Sequence, residues 1–269
     1  MTDAHKNADR FGGFAGLYNG VRPACPEYVT EILTRYLGRH PRTVVDLGCG
    51  TGLSSLVWRG RADKIIGIEP SGDMLAQAVA STEGLPEIEF IRAFSDNTGL
   101  ESGIADIVTC SQSFHWMEPF STLREVDRIL RPGGVFAAYD CDWPVVSVAD
   151  VDRAEEKLFE KINDIQFNDG EYKDAFIQYP KTRHLENIRQ SGFFSYAREI
   201  VFSKTEDCGA DRRYGLVLSQ GAIQSILKKN PSLIEDDLAG FRAVVDGFFG
   251  DRTLQIEFCY RMRLGMKGE

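Results

Sequence analysis

The chain has 269 residues, 43% of them hydrophobic and 26% charged, which suits one α/β domain with insertions and is too short for two full domains and a linker. Its net charge of −9, with no basic block, argues against a nucleic-acid partner, whose phosphates are bound through Lys and Arg. No apolar run approaches the roughly 18 residues of a membrane span, and the polar start lacks a signal peptide's apolar stretch, so a cytoplasmic protein with no membrane partner is expected.

In chain order, Phe11, Phe14, Ala15 and Tyr18 fall at helical spacing. Pro23 and Pro26 break the chain, and Tyr28, Ile32, Leu33, Tyr36 and Leu37 restart a helix. From Arg42 onward, short apolar runs alternate with helical ones. Strands are expected at Thr43–Leu47, Lys64–Ile68, Ile88–Ile91, Ala105–Cys110 and Val135–Tyr139, with helices at Asp73–Val79 and Leu123–Leu130. That rhythm reads as βαβ units and a parallel sheet. Val151, Ala154, Leu158, Ile162 and Ile165 then keep helical spacing, Phe193–Phe202 reads as a sixth strand, and Leu216–Leu227 and Leu238–Phe249 read as two amphipathic helices. Ile256, Phe258, Tyr260, Met262, Leu264 and Met266 alternate with mostly polar residues, so the last segment is a strand with one buried face.

The six cysteines, Cys25, Cys49, Cys110, Cys141, Cys208 and Cys259, are scattered. No CxxC pair or His at zinc spacing accompanies them, so buried free thiols are expected and no metal. His5 and His184 have no identifiable partner.

The strongest local signal is Val44-Val45-Asp46-Leu47-Gly48-Cys49-Gly50-Thr51-Gly52. A strand runs into a loop with glycine at every second position, where the backbone can reach positive φ or meet a ligand without a Cβ between. Glu69 ends the next strand, 21 residues after Gly48, near the spacing at which an acid accepts hydrogen bonds from ribose hydroxyls. The dinucleotide fingerprint GxGxxG is not met, because Leu53 stands where its third glycine would be.

Asp46 to Gly52 resembles motif I of class I S-adenosylmethionine-dependent methyltransferases. Leu130-Arg131-Pro132-Gly133-Gly134 resembles the turn before their fifth strand. The match covers roughly residues 11–142. Tyr18-Asn19-Gly20-Val21-Arg22-Pro23, Ser95-Asp96-Asn97-Thr98-Gly99-Leu100 and Gln112-Ser113-Phe114-His115-Trp116 are similar to a small-molecule branch, methyltransferase type 11-like, that includes trans-aconitate methyltransferases. Ala93-Phe94 and Cys25-Pro26 depart from that branch.

The resemblance implies a Rossmann-like, doubly wound seven-stranded α/β sheet. It is mostly parallel with an antiparallel last strand. Residues 1–40 form an N-terminal helical lid, 41–204 and 252–269 the cofactor-binding core, and 205–251 a helical insertion over the acceptor side. S-adenosyl-L-methionine is the implied cofactor and S-adenosyl-L-homocysteine its product. Gly48, Cys49, Gly50 and Gly52 pass under the methionine and ribose. Asp46 orients the loop and the methionine end, and Glu69 binds the ribose. Pro70, Ser71 and Met74 flank the adenine, as do Phe94 and Ser95, while Ser111 and Gln112 lie by the methionine. Tyr18 and Arg22 fold over the cofactor, Arg22 either holding its carboxylate, which a guanidinium fork suits, or capping a surface turn. His115 is a general base, a pocket residue or packing; a carboxylate acceptor needs no base. Trp116 and Trp143 join it in lining the acceptor pocket. Arg212 and Arg213 either attract an acidic acceptor or are a solvated pair.

The expected reaction is transfer of the methyl group to a small-molecule acceptor, possible carboxylates included. Two alternatives stay open: a module that binds the cofactor without chemistry, and a nucleotide-dependent oxidoreductase, which Leu53 disfavours. A protein acceptor is a lesser variant, and the oligomeric state is not legible.

Overall fold

A computed structural model describes residues 20–172 and 177–269. His5, Tyr18 and the helix expected over 11–18 lie outside the described residues. Helix α1 (Tyr28–Leu37) turns Val29, Ile32 and Leu33 inward at the i, i+3, i+4 spacing of one helical face. Gly38 ends it in the left-handed region, its N–H donating to the Thr34 carbonyl at 3.0 Å.

The alternating segment then builds β1 (Thr43–Leu47), α2 (Leu53–Leu56), β2 (Lys64–Ile68), α3 (Gly72–Ser81), β3 (Ile88–Ile91), β4 (Ala105–Ser111), α4 (Pro119–Ile129) and β5 (Leu130–Cys141). These strands pair in parallel. All of β1 is buried, as expected for a strand covered by helices on both faces. Helix α4 starts at Pro119, with the Glu118 carboxylate accepting from Phe120 N at 3.2 Å and Ser121 N at 2.6 Å, an N-terminal cap in the expected place.

The rest of the chain contributes α5 (Ala149–Asn168), α6 (His184–Gln190), β6 (Phe194–Cys208), α7 (Ala210–Leu218), α8 (Gly221–Lys229), α9 (Glu235–Phe249) and β7 (Leu254–Lys267). The seven strands lie in the order β3-β2-β1-β4-β5-β7-β6. The final strand, β7, runs antiparallel to both its neighbours. The chain goes one way from β1 to β2 and β3, and the other way to β4 and β5. Ligands of such sheets bind in the crevice beyond the strand ends at that switch point. Apolar clusters pack each face, and a further one joins α5, α7, α8 and α9 to the ends of β5 and β7. No described helix is long and apolar enough to cross a membrane.

Three expectations differ in detail. The sixth strand does not stop at Phe202: it pairs with β7 as far as Cys208–Leu254, because its exposed and half-buried residues keep alternating. The expected turn at Pro132–Gly134 falls inside β5, where the register against β4 shifts between Ala105 and Ile107. The helix expected over 216–227 is two helices. Ser219 Oγ bonds back to the Leu216 carbonyl at 2.7 Å and Gln220 is extended at ψ 129°, so α7 ends and α8 starts afresh at Gly221.

Asp106 at the start of β4 pins this half of the sheet. Its buried carboxylate accepts from Arg39 (2.6 Å), Arg131 (2.8 Å) and the amides of Arg42 and Thr43 (2.7 and 3.0 Å). Burial works against its charge, but these donors hold the carboxyl well below the usual carboxylate range. A carboxyl depressed on folding gives stability that is complete above its unfolded pKa of about 3.9 and is lost as pH falls towards the folded value. The urea midpoint of Asp106→Asn is therefore expected to fall less steeply below about pH 4 than that of the parent chain. Equal slopes would exclude Asp106 as a source of the acid limb.

Candidate active site

The loop after β1 is shaped by its glycines. Gly48 and Gly50 sit at φ 65° and 57°, a region closed to most side chains. The amides of Gly48 and Cys49 both donate to the Ile68 carbonyl, at 2.8 and 3.1 Å. A Cβ on Gly48 would lie 2.7 Å from the Ser113 Cβ and 2.8 Å from the Met117 Cε, whereas one on Gly50 would meet nothing within 4 Å. Gly48 is thus pressed against the segment after β4, and Gly50 offers bare backbone to open space.

Glu69 closes the loop from the end of β2. Its Oε2 accepts from Gly50 N at 3.0 Å and its Oε1 from Ser71 N at 2.8 Å. Burial raises its pKa, and the two amides oppose that rise. Behind the loop, the fully buried Asp46 accepts from Ser54 Oγ (2.6 Å) and Ser55 Oγ (2.8 Å) of α2 and from Thr109 Oγ1 (2.8 Å) of β4. Burial raises this carboxyl as well, against the three hydroxyls.

A cavity opens in front of the loop. Of the residues expected from the sequence, Arg22, Gly48, Cys49, Gly50, Glu69, Pro70, Met74, Phe94, Ser95, Ser111, Gln112 and Trp116 line it. Asp46, Gly52 and Ser71 do not: Asp46 braces the loop from behind, a Cβ on Gly52 would meet the Phe90 ring at 3.1 Å, and the Ser71 amide serves Glu69. Gln112 carries a non-glycine φ of 55° and bonds to the Tyr139 carbonyl at 2.9 Å. Such backbone strain gathers at functional sites. The sequence reading missed Met117, Tyr139, Ile177, Tyr179 and Tyr260 as lining residues. Tyr139 OH lies 3.2 Å from Cys25 Sγ, and burial pushes that thiol up to about 12.

A second cavity adjoins the first and shares Arg22, Gln112 and Trp116 with it. His115 and Trp143 line the second cavity, with Phe159, Glu155, Glu156, Glu160 and Lys181. Arg22 is held here by the α7–α8 junction, donating to the Ser219 carbonyl (3.1 Å) and Gln220 Oε1 (3.2 Å) with its guanidinium 5.0 Å from the Trp143 ring centre. Arg212 and Arg213 do not face this cavity. Arg212 is half-buried and pairs with Glu206, and Arg213 is fully buried against Glu155, so the two are not a solvated pair and neither lines this cavity.

His184 has a neighbour that sequence spacing did not reveal. Asp140, at the end of β5, lies 3.8 Å from His184 Nε2, 3.3 Å from His115 Nδ1, 3.0 Å from Lys181 Nζ and 3.4 Å from Arg263 Nη1. Burial opposes Asp140's charge, yet the neighbouring His115 ring and the Lys181 charge hold its carboxyl well below the usual range. His184 itself is pushed down by burial to about 4. Although His115, Asp140 and His184 come within metal-ligand spacing of one another, the two cations on Asp140 would repel a metal ion. The group is a charge network.

A family model for a methyltransferase domain matches residues 45–138. Residues 45–138 are a methyltransferase domain. The methyltransferase domain is of the class I, S-adenosylmethionine-dependent kind. It holds the glycine loop, Glu69, Phe94, Gln112 and His115, while α5 to α9 and β6 and β7 lie outside the match. The Saccharomyces cerevisiae protein named "Probable S-adenosylmethionine-dependent methyltransferase CRG1" is 34% identical over 125 residues, 45% of this chain and 43% of that one. The trans-aconitate 2-methyltransferase of an Azoarcus species is 36% identical over 110 residues, 40% and 42% of the two chains. The aligned stretch thus spans less than half the length of these relatives. In three dimensions the whole fold resembles that of a protein from Anaeromyxobacter dehalogenans described as a type II methyltransferase. The TM-score is 0.70 at 21% identity, over 91% of this chain and 97% of that chain.

Proposed function

We propose that the protein transfers the methyl group of S-adenosyl-L-methionine to a small-molecule acceptor by direct displacement, leaving S-adenosyl-L-homocysteine. The observation that carries this reading is the bare backbone of Gly50 facing a cavity closed by the Glu69 carboxylate. The chain's residues fit the cofactor. Glu69 accepts from the ribose hydroxyls, Met74 and Phe94 flank the adenine, and the backbone of Gly48 to Gly50 with Ser111 and Gln112 runs beside the methionine. Asp46 acts at one remove by fixing the loop. When bound, S-adenosylmethionine supplies an electrophilic methyl on a sulfonium. The protein's task is to align that methyl with the acceptor atom, which is worth ~7–11 kcal/mol in favourable intramolecular cases.

The acceptor sits in the second cavity, beyond the shared wall of Arg22, Gln112 and Trp116. A carboxylate acceptor is the one implied by the likeness to trans-aconitate methyltransferases. Residues 20–40 serve as cover over the donor side. The helices between β6 and β7, packed with α5, roof the acceptor side. A module that only stored the cofactor would need no second cavity, and that favours an enzyme.

Equilibrium dialysis with S-adenosylhomocysteine is expected to show uptake at one site per chain, with none of a nicotinamide dinucleotide; no uptake by folded protein would sink the reading. Arg22→Ala is expected to weaken S-adenosylhomocysteine binding about tenfold, the cost of one charge-assisted hydrogen bond. Calorimetry that gave an unchanged affinity would leave Arg22 as a clasp between segments only.

A further inference from the structure

We propose that Gly215 and Arg212, on a helix with no residue at the donor cavity, are positioning residues for S-adenosylmethionine. Gly215 is the seat of the Val21 side chain and Arg212 the clamp on the Val21 carbonyl, and together they set the strap that walls the cavity. The proposal rests on the methyltransferase reading above. Arg22, Pro23, Cys25 and Pro26 of the strap line the donor cavity, whereas no residue of α7 does. Residues 23–26 belong to no helix or strand. The wall therefore takes its place from what its two ends touch.

Gly215 lies inside α7 and is fully buried. Glycine is a poor helix former, and Gly215 does not have the positive φ that would call for it. The space does call for it. A Cβ at this position would lie 2.7 Å from Val21 Cγ1 and 3.4 Å from Val21 Cβ, the first far inside the roughly 3.5–4.0 Å of a carbon–carbon contact. Valine is branched at Cβ and stiff at χ1, so Val21 does not simply turn aside. The missing side chain is a notch in the helix that Val21 fills.

Arg212 holds the same residue by its backbone. Its Nε donates to the Val21 carbonyl at 3.2 Å, while Nη1 donates to the Asp207 carbonyl (2.5 Å) and Nη2 to the Glu206 carboxylate, both on β6. The guanidinium also lies 5.6 Å from the Phe258 ring centre on β7. The planar fork is thus fixed by the sheet and reaches out to the strap. The next strap residue, Arg22, donates to the Ser219 carbonyl just past the end of α7. At the far end Cys25 Sγ meets Tyr139 OH on β5 at 3.2 Å. The strap is spanned between α7 and β5, and a displaced Val21 would carry Arg22 and Pro23 off the cavity.

The test compares the parent chain with Gly215→Ala and with Gly215→Ala/Val21→Ala. Calorimetry reads S-adenosylhomocysteine affinity. Alkylation by N-ethylmaleimide without ligand, followed at the Cys25 peptide by mass spectrometry, reads the strap itself. The Cys25 thiol is pushed up to about 12 by burial, and a thiol released to water ionises more readily and reacts faster. Gly215→Ala is expected to bind S-adenosylhomocysteine about tenfold more weakly and to react at Cys25 about tenfold faster. Adding Val21→Ala removes the methyl that the new Cβ meets, and is expected to return both readouts to within about threefold of the parent, the non-additivity of residues in direct contact. Parental values in Gly215→Ala would overturn the seat, as would a loss that Val21→Ala does not reverse. If Gly215→Ala does not fold, the double variant decides: folded with parental affinity it supports the seat, and unfolded it overturns it. Arg212→Lys keeps the charge without the fork and is expected to speed Cys25 alkylation too; a parental rate would remove the clamp. A parent chain that takes up no S-adenosylhomocysteine counts against the methyltransferase reading, and the Cys25 rates then decide the seat alone.

Discussion

Glu69→Ala is expected to lower affinity for S-adenosylhomocysteine more than 100-fold with little change in the thermal midpoint. Each carboxylate oxygen of Glu69 already accepts one backbone N–H, from Gly50 and from Ser71, and each keeps a second lone pair for a ribose hydroxyl. Hydrogen bonds to a charged group contribute roughly 1.5–3 kcal/mol each, so losing two exceeds the ~2.8 kcal/mol of a hundredfold change. The folded state loses less. Glu69 lies at the cavity wall, its burial raises its own pKa, and water entering the space can satisfy both amides. Glu69→Gln keeps one carbonyl oxygen and is expected to lose about tenfold. Calorimetry beside a melting curve separates the two effects, and wild-type affinity in Glu69→Ala would remove the ribose role.

Asp46→Ala is expected to do the reverse in kind, destabilising the fold by about 3 kcal/mol in urea titration. Three hydroxyls on two elements, Ser54 and Ser55 on α2 and Thr109 on β4, converge on this one buried carboxylate. Without it they lose a common acceptor where water does not reach, and each unsatisfied buried group costs roughly 1–3 kcal/mol. Rotation of the hydroxyls towards nearby carbonyls recovers part of that. Asp46→Asn keeps an oxygen in place and removes a buried charge, so its loss is expected to be less than half as large. A stability of Asp46→Ala within 0.5 kcal/mol of the parent, the usual range for an uninvolved surface change, would refute the bracing role.

The parts of the molecule legible in the sequence are those encoded over short stretches. The alternation of apolar runs from Arg42 to Tyr139 predicts the parallel strands, because each buried strand and its helix are contiguous. The period-two pattern over Ile256–Met266 marks β7, whose buried and half-buried residues alternate over much of its length. Gly48, Gly50 and Glu69 fall within 22 residues, so the loop and its carboxylate stand out together. The surroundings of the second cavity are different in kind. His115, Asp140, Lys181 with His184, and Arg263 come from four separate stretches of the chain, and only the fold brings them together. Tyr139 and Tyr260 look like ordinary strand residues until the sheet order sets β5 beside β7. The α7–α8 break was hidden because apolar residues keep helical spacing on both sides of it, and Gly221 is its one local signal.

Arg22, Gln112 and Trp116 front both chambers. A party wall of this kind makes the two occupants energetically interdependent. Whatever rearrangement of those side chains admits one guest is felt by the other, and thermodynamic reciprocity makes the effect equal in both directions. If the two chambers take the occupants proposed for them, an acceptor would raise or lower the hold on S-adenosylhomocysteine by the same factor that S-adenosylhomocysteine changes the hold on the acceptor.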